Sequence, residues 1–124
     1  MEKNIFKEND GIDEHLCLLM YNEDRDFYVM VLETFVNDLI QTSNRIRETF
    51  ESNEKEQYKI LVHGLKGAGG SAGAGHLVDL VTRSNDLMKE GRFDLAYEMH
   101  EEILAEMERL IKVIPERLEV FKES

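Results

Sequence analysis

From Phe27 to Ile114 the apolar residues recur every three or four positions, and no segment of the chain sustains the period-two alternation of a half-buried strand. That spacing commits the chain to packed helices. Ile12, Leu16 and Leu19 suggest a short opening helix after Asp10-Gly11, and Phe27, Val31, Phe35, Leu39, Ile46 and Phe50 form the stripe of a long second helix that starts within Asn22 to Asp24. The polar break Glu51-Ser52-Asn53-Glu54 offers Ser52 or Asn53 as N-cap of a third helix with the stripe Tyr58, Leu61, Val62, Leu65, Ala68 and Ala72. Leu77, Leu80, Val81, Leu87 and Met88 mark a fourth, closed by Gly91 at a left-handed cap position. Asp94 can cap a last long helix carrying Ala96, Met99, Ile103, Met107, Leu110 and Ile114, which Pro115 is expected to kink or end, leaving Glu116 to Phe121 as a short continuation. Five helices with short connections predict an all-α fold, an antiparallel four-helix bundle with a short additional N-terminal helix. No Pro/Gly/Ser-rich linker interrupts the 124 residues, so residues 1–124 read as a single domain.

The glycines break the pattern. Gly64, Gly67, Gly69, Gly70, Gly73 and Gly75 crowd one stretch, although each glycine inside a helix costs about 1 kcal/mol relative to alanine. On a helical wheel His63, Lys59, Lys66, Gly67 and Gly70 share a strip on the side away from Leu61, Leu65 and Ala72. His63 is therefore expected to face solvent, with two ammonium groups one turn away and bare backbone beside the ring. A neutral imidazole is a good nucleophile near pH 7, so this ring can accept a phosphoryl group and later surrender it.

Composition narrows the partners. A formal net charge of −11 opposes nucleic acid and anionic membranes, since phosphate-rich surfaces repel the chain at long range. Cys17 stands alone in an apolar stretch, which excludes an internal disulfide and predicts a buried, inert thiol in a reducing compartment. The N-terminus shows no signal-peptide pattern and no apolar run spans a bilayer, so a cytoplasmic location is expected. Met20, Met30, Met88, Met99 and Met107 read as core filler, and Glu101, Glu102 and Glu106 as a solvated helix face.

The run His63-Gly64-Leu65-Lys66-Gly67-Ala68-Gly69-Gly70-Ser71-Ala72-Gly73-Ala74, with Leu77 beyond it, resembles the signature of histidine phosphotransfer (HPt) domains of two-component phosphorelays. Asp26-Phe27-Tyr28 through Phe35 is similar to that family's long second helix, and Gly91-Arg92-Phe93-Asp94 to its turn before the last one. The resemblance implies that His63 is the phosphoacceptor, that Lys66 helps to hold the phosphoryl group and that Gly67 clears room for the partner. Lys59 and Gly70 complete the docking strip. Family members often carry a glutamine or glutamate about 22 residues after the histidine to steady its other ring nitrogen; here Asn85 stands there, with Lys89 one turn further. The resemblance also implies a phosphocarrier rather than an enzyme, with a response-regulator receiver domain or a histidine kinase as partner. No cofactor or metal is expected on this chain. The Mg²⁺ that phosphoryl transfer needs is expected on the receiver, and a monomer is the simplest state for a module that binds partners in turn.

Three competing readings stand beside it. His63 on its own is an ordinary surface histidine, but the ordered Leu65, Lys66, Gly67 and Gly73 around it speak against that. His15, His76 and His100 lack any metal-ligand spacing and receive no site. Lys59 to Val62 as a strand before Gly67-x-Gly69-x-x-Ala72 would be a variant dinucleotide fingerprint of a nucleotide-binding enzyme, which requires a parallel sheet. A helical adaptor that uses the same face without phosphorylation is the remaining alternative.

Overall fold

The computed structural model describes residues 3–124. After a 3₁₀ turn at Glu8–Asp10 come α1 (Glu14–Met20), α2 (Arg25–Glu51), α3 (Lys55–Ala72), α4 (Gly75–Lys89), α5 (Phe93–Glu98) and α6 (His100–Glu123). α3 packs on α2 and α4, and α6 packs on the same two helices, so the four long helices close a ring. Their short connections make successive members antiparallel. The core inside the ring is formed by side chains such as Leu32, Leu39 and Ile46 of α2, Tyr58 and Val62 of α3, Leu77 and Leu80 of α4, and Ile103, Met107 and Leu110 of α6. Burying each such aliphatic side chain contributes about 1.5–3 kcal/mol relative to exposure. The architecture is the all-α bundle that the apolar spacing predicts. Lys59 to Val62 are helical and no strand occurs among the described residues beyond one isolated bridge, Ile12 to Ala74, so the dinucleotide-binding alternative loses its sheet.

Several local expectations are corrected. In α1 the buried residues are Cys17 and Leu18, while Leu16 and Leu19 are 51% and 56% exposed. In α2 the stripe sits one residue later than expected at its start: Tyr28 and Leu32 are buried and Phe27 is 45% exposed. Met20 and Met30 are exposed rather than core filler. Neither Ser52 nor Asn53 caps α3: Ser52 closes α2, Asn53 has φ +54°, and Glu54 holds the N-cap without a side-chain bond. The last helix begins at Phe93 after Arg92, and breaks at Met99, whose N–H bonds Ala96 three residues back at 3.0 Å. It runs through Pro115, which is exposed, to Glu123 rather than ending or leaving a separate short continuation there. Glu106 is buried, satisfied by two 2.8 Å hydrogen bonds from Arg109.

A segment that the helical spacing does not reach anchors the bundle's first end. Ile5 and Phe6 are buried, and their N–H groups donate to the Glu14 carboxylate at 2.8–3.0 Å, which also pairs with Arg25 at 3.0 Å. Asp10 accepts both arms of Arg117, at 2.8 and 3.1 Å, and Arg109 donates to its carbonyl. The Arg117 guanidinium holds the Asp10 carboxyl below the usual carboxylate range.

Candidate functional site

The centre of α3 is fixed by its flanks. Val62, Leu65, Gly69 and Ala72 are buried, Gly69 faces α4, and Ala68 faces α2. Turning about 100° per residue from these, Lys59 and Lys66 fall on the α4 flank, Gly64 on the α2 flank, and His63 and Gly67 between them on the outward side. His63, Lys66, Gly67 and Gly70 are exposed and Lys59 is half-buried. Among the described residues no hydrogen bond or ion pair occupies the His63 ring or the Lys66 ammonium. An exposed, unencumbered imidazole flanked by two cations is available to an incoming anion.

The glycines separate into two groups. A Cβ on Gly64, Gly67 or Gly70 would meet nothing within 4 Å, so nothing inside the molecule asks for glycine there. These three, at i, i+3 and i+6, leave a diagonal strip of bare backbone past His63. Gly69 and Gly73 are different. A Cβ at Gly69 would sit 3.0 Å from Val78, so this glycine lets α3 and α4 approach, while Gly73 has φ +84° and a Cβ there would lie 2.9 Å from both the Asp13 carbonyl and the Cys17 sulfur. Cys17 is buried, and burial pushes its thiol up.

The Gly69–Val78 contact also sets the register of α3 against α4. Seven residues back from Gly69 is Val62 and seven forward from Val78 is Asn85, so the antiparallel pair brings Asn85 level with the residue before His63. Asn85 is 4% exposed, and its Nδ2 is buried without a partner. It makes no hydrogen bond to His63: level with the ring, it points into the bundle while His63 faces out. Lys89 lies exposed one turn further along α4, level with Tyr58 and Lys59.

Phe27, Met30, Val31, Phe35 and Ala68, which the apolar spacing assigns to the core, form much of the rest of this face. Tyr21, Phe27, Met30, Val31, Phe35, Ala68 and Ser71 line a trough of about 490 Å³ between α2 and α3, and Leu16, Leu19 and Met20 stand exposed on α1, which packs on those two helices. The signal lay in the excess: α2 carries apolar residues on two adjacent stripes, and one helix face can bury only one of them. Tyr21 stacks edge-on against Phe27 at 5.2 Å, and its hydroxyl donates to the Ser71 carbonyl at 2.7 Å, tying the trough to the glycine-rich end of α3.

The one histidine that is buried, His100, has a different setting from the exposed His63. His100 stacks on Phe50 at 3.7 Å, shares a 3.0 Å hydrogen bond with the Tyr58 hydroxyl through Nδ1, and is held below its ordinary pKa by burial. Among the described residues no group of three or more His, Cys, Asp or Glu is placed to hold a metal ion, and no helix is long and apolar enough to cross a membrane.

A family model described as the Hpt domain matches residues 30–113, a span that contains His63, Lys66, the bare glycines, Asn85 and Lys89. No curated protein and no solved structure matches the chain.

Proposed function

The chain belongs to the Hpt domain family, phosphocarrier modules of two-component phosphorelays rather than catalysts, and from that premise we propose that His63 carries the phosphoryl group between receiver-domain aspartates, or from a histidine kinase. One ring nitrogen, expected to be Nε2, attacks phosphorus of an aspartyl phosphate. The N–P bond forms as the P–O bond to the aspartate breaks, the carboxylate leaves, and the other ring nitrogen keeps its proton. The reverse step returns the group to a second aspartate.

The observation that carries this reading is the exposed His63 beside Lys66 on a strip of glycine backbone with no internal reason to be bare. Lys66 offsets charge on the phosphohistidine, and Lys59 and Lys89 add positive potential along the same edge. Asn85, level with the ring, reaches it only by turning its amide outward, which its unpaired Nδ2 favours. Gly67 and Gly70 admit the incoming group to the backbone, and the α2–α3 trough seats the partner. Mg²⁺ and most of the charge stabilisation belong to the receiver, in keeping with phosphoryl transfer being mainly positioning and electrostatics.

The test mixes the protein with a phosphorylated receiver domain and follows acid-labile, base-stable phosphate. Label on the wild-type chain and none on His63→Gln is the expected result. Label that survives the substitution would sink the assignment, and receiver binding without any label would favour the adaptor alternative.

A further inference from the structure

The residues that line the two troughs between α2 and α3 are apolar or neutral except for one. Asp38 lines the 490 Å³ trough that holds Tyr21 and Phe27, and it also lines a smaller one, about 220 Å³, that continues past Leu61 and Gly64 to Ile60. It is exposed and makes no ion pair among the described residues, and its neighbours one turn away on α2, Thr34 and Thr42, are neutral. The lysines of the His63 strip stand on the opposite flank of α3. In water a lone carboxylate there is harmless. Once an apolar partner covers the trough its hydration is lost, and without a counter-charge it opposes docking.

We propose that Asp38 is a specificity-determining residue of this docking surface, and that the occupant is a receiver-domain helix whose apolar face carries one lysine or arginine to meet it. The inference rests on the receiver-binding reading above and adds the chemistry of the partner. A trough between two helices takes a third, whose apolar residues fill the Phe27 and Ile60 ends while its cation reaches the carboxylate between them. An arginine does so with two parallel hydrogen bonds. A receiver with an acidic or apolar residue at that position is rejected, because it leaves Asp38 dehydrated and unpaired. Both signs of selection come from one side chain.

The experiment uses the full chain and a receiver domain with which the wild-type protein exchanges phosphate. Transfer is measured against receiver concentration for Asp38→Asn and Asp38→Lys, beside labelling of His63 by phosphoramidate, a small donor that needs no docking surface. Asp79→Lys makes the same charge change on the exposed face of α4 and serves as control. The half-saturating receiver concentration is expected to rise about tenfold or more in Asp38→Lys, less in Asp38→Asn, and under about twofold in Asp79→Lys. Glutamate in place of the receiver's basic residue should restore Asp38→Lys. An unchanged half-saturating concentration in Asp38→Lys, or an equal rise in Asp79→Lys, overturns the inference and leaves the carrier reading standing. Failure of phosphoramidate to label His63 in the wild type overturns both.

Discussion

The Tyr28 hydroxyl lies 2.8 Å from the carbonyl oxygen of Ala72, so a side chain of α2 completes the hydrogen bonding of the last turn of α3. Tyr21 does the same for Ser71 at 2.7 Å, and the Asp13 N–H for Gly73 at 2.9 Å. Three consecutive carbonyls at the glycine-rich end of the His63 helix are thereby satisfied from outside it. Tyr28→Phe keeps the ring and leaves the buried Ala72 carbonyl without its donor, and it is expected to destabilise the fold by about 1–3 kcal/mol. Urea unfolding should show a lower midpoint at an unchanged slope; an unchanged midpoint would mean that the carbonyl finds another donor.

Two glycines of the same stretch are expected to respond to alanine with opposite signs. Gly67→Ala enters open space and should raise stability by about 0.5–1 kcal/mol, while slowing phosphoryl transfer. Gly73→Ala meets backbone and sulfur at 2.9 Å with φ +84° and should lower stability by more than about 1 kcal/mol. Thermal melts of the pair, with transfer rates for the first, check both; faster transfer by Gly67→Ala would refute the proposed role of the bare strip.

Asn85→Leu separates a packing role from a positioning one. Removing the unpaired buried Nδ2 should leave stability within about 1 kcal/mol of wild type or raise it. Transfer through His63 should nevertheless slow, since the group proposed to steady the ring is gone. Wild-type transfer with retained stability would show that Asn85 serves the core alone.

Stability should fall with acid in two steps. Burial holds the folded-state pKa of His100 below 6.5, so near and below pH 6.5 the unfolded chain takes up a proton that the folded one resists. Stability is then full above about pH 6.5 and declines as pH falls below it, with a slope of at most about 1.4 kcal/mol per pH unit for one proton. The Asp10 carboxylate, depressed by Arg117, contributes above 3.8 and loses its contribution as pH drops below that value. Stability measured from pH 8 to 3 should show the first decline in the wild type and lack it in His100→Phe; a decline that persists in the variant would assign it elsewhere.

The parts of the fold legible from sequence are those where burial decides. Val62, Leu65 and Ala72 point inward as their spacing requires, and His63 consequently points out. The Gly91 turn sits where the fourth helix ends, with φ +80°. The departures from the apolar spacing have physical causes. A three-to-four spacing fits two neighbouring registers when both carry apolar residues, so spacing alone does not choose Tyr28 over Phe27 or Cys17 over Leu16. The anchoring of Ile5 and Phe6 through Glu14 depends on backbone N–H groups meeting a carboxylate, which no periodicity encodes. The break at Met99 and the continuation through Pro115 are backbone events that apolar spacing does not register. At the candidate site the residue types of the strip were readable, whereas the inward turn of Asn85 and the trough beside α2 required the packing of neighbouring helices.

The backbone strip of Gly64, Gly67 and Gly70 has a consequence for how a carrier is shared. Peptide groups are chemically the same in every protein, so a surface made of them has no vocabulary with which to tell one donor from another. On the proposed reading, the neighbourhood of His63 is a common terminal open to any aspartyl phosphate that can reach it, and identity is checked some distance away, on α2. New partners could then be gained or lost by exchanging side chains along that trough, with the chemistry at the histidine left alone.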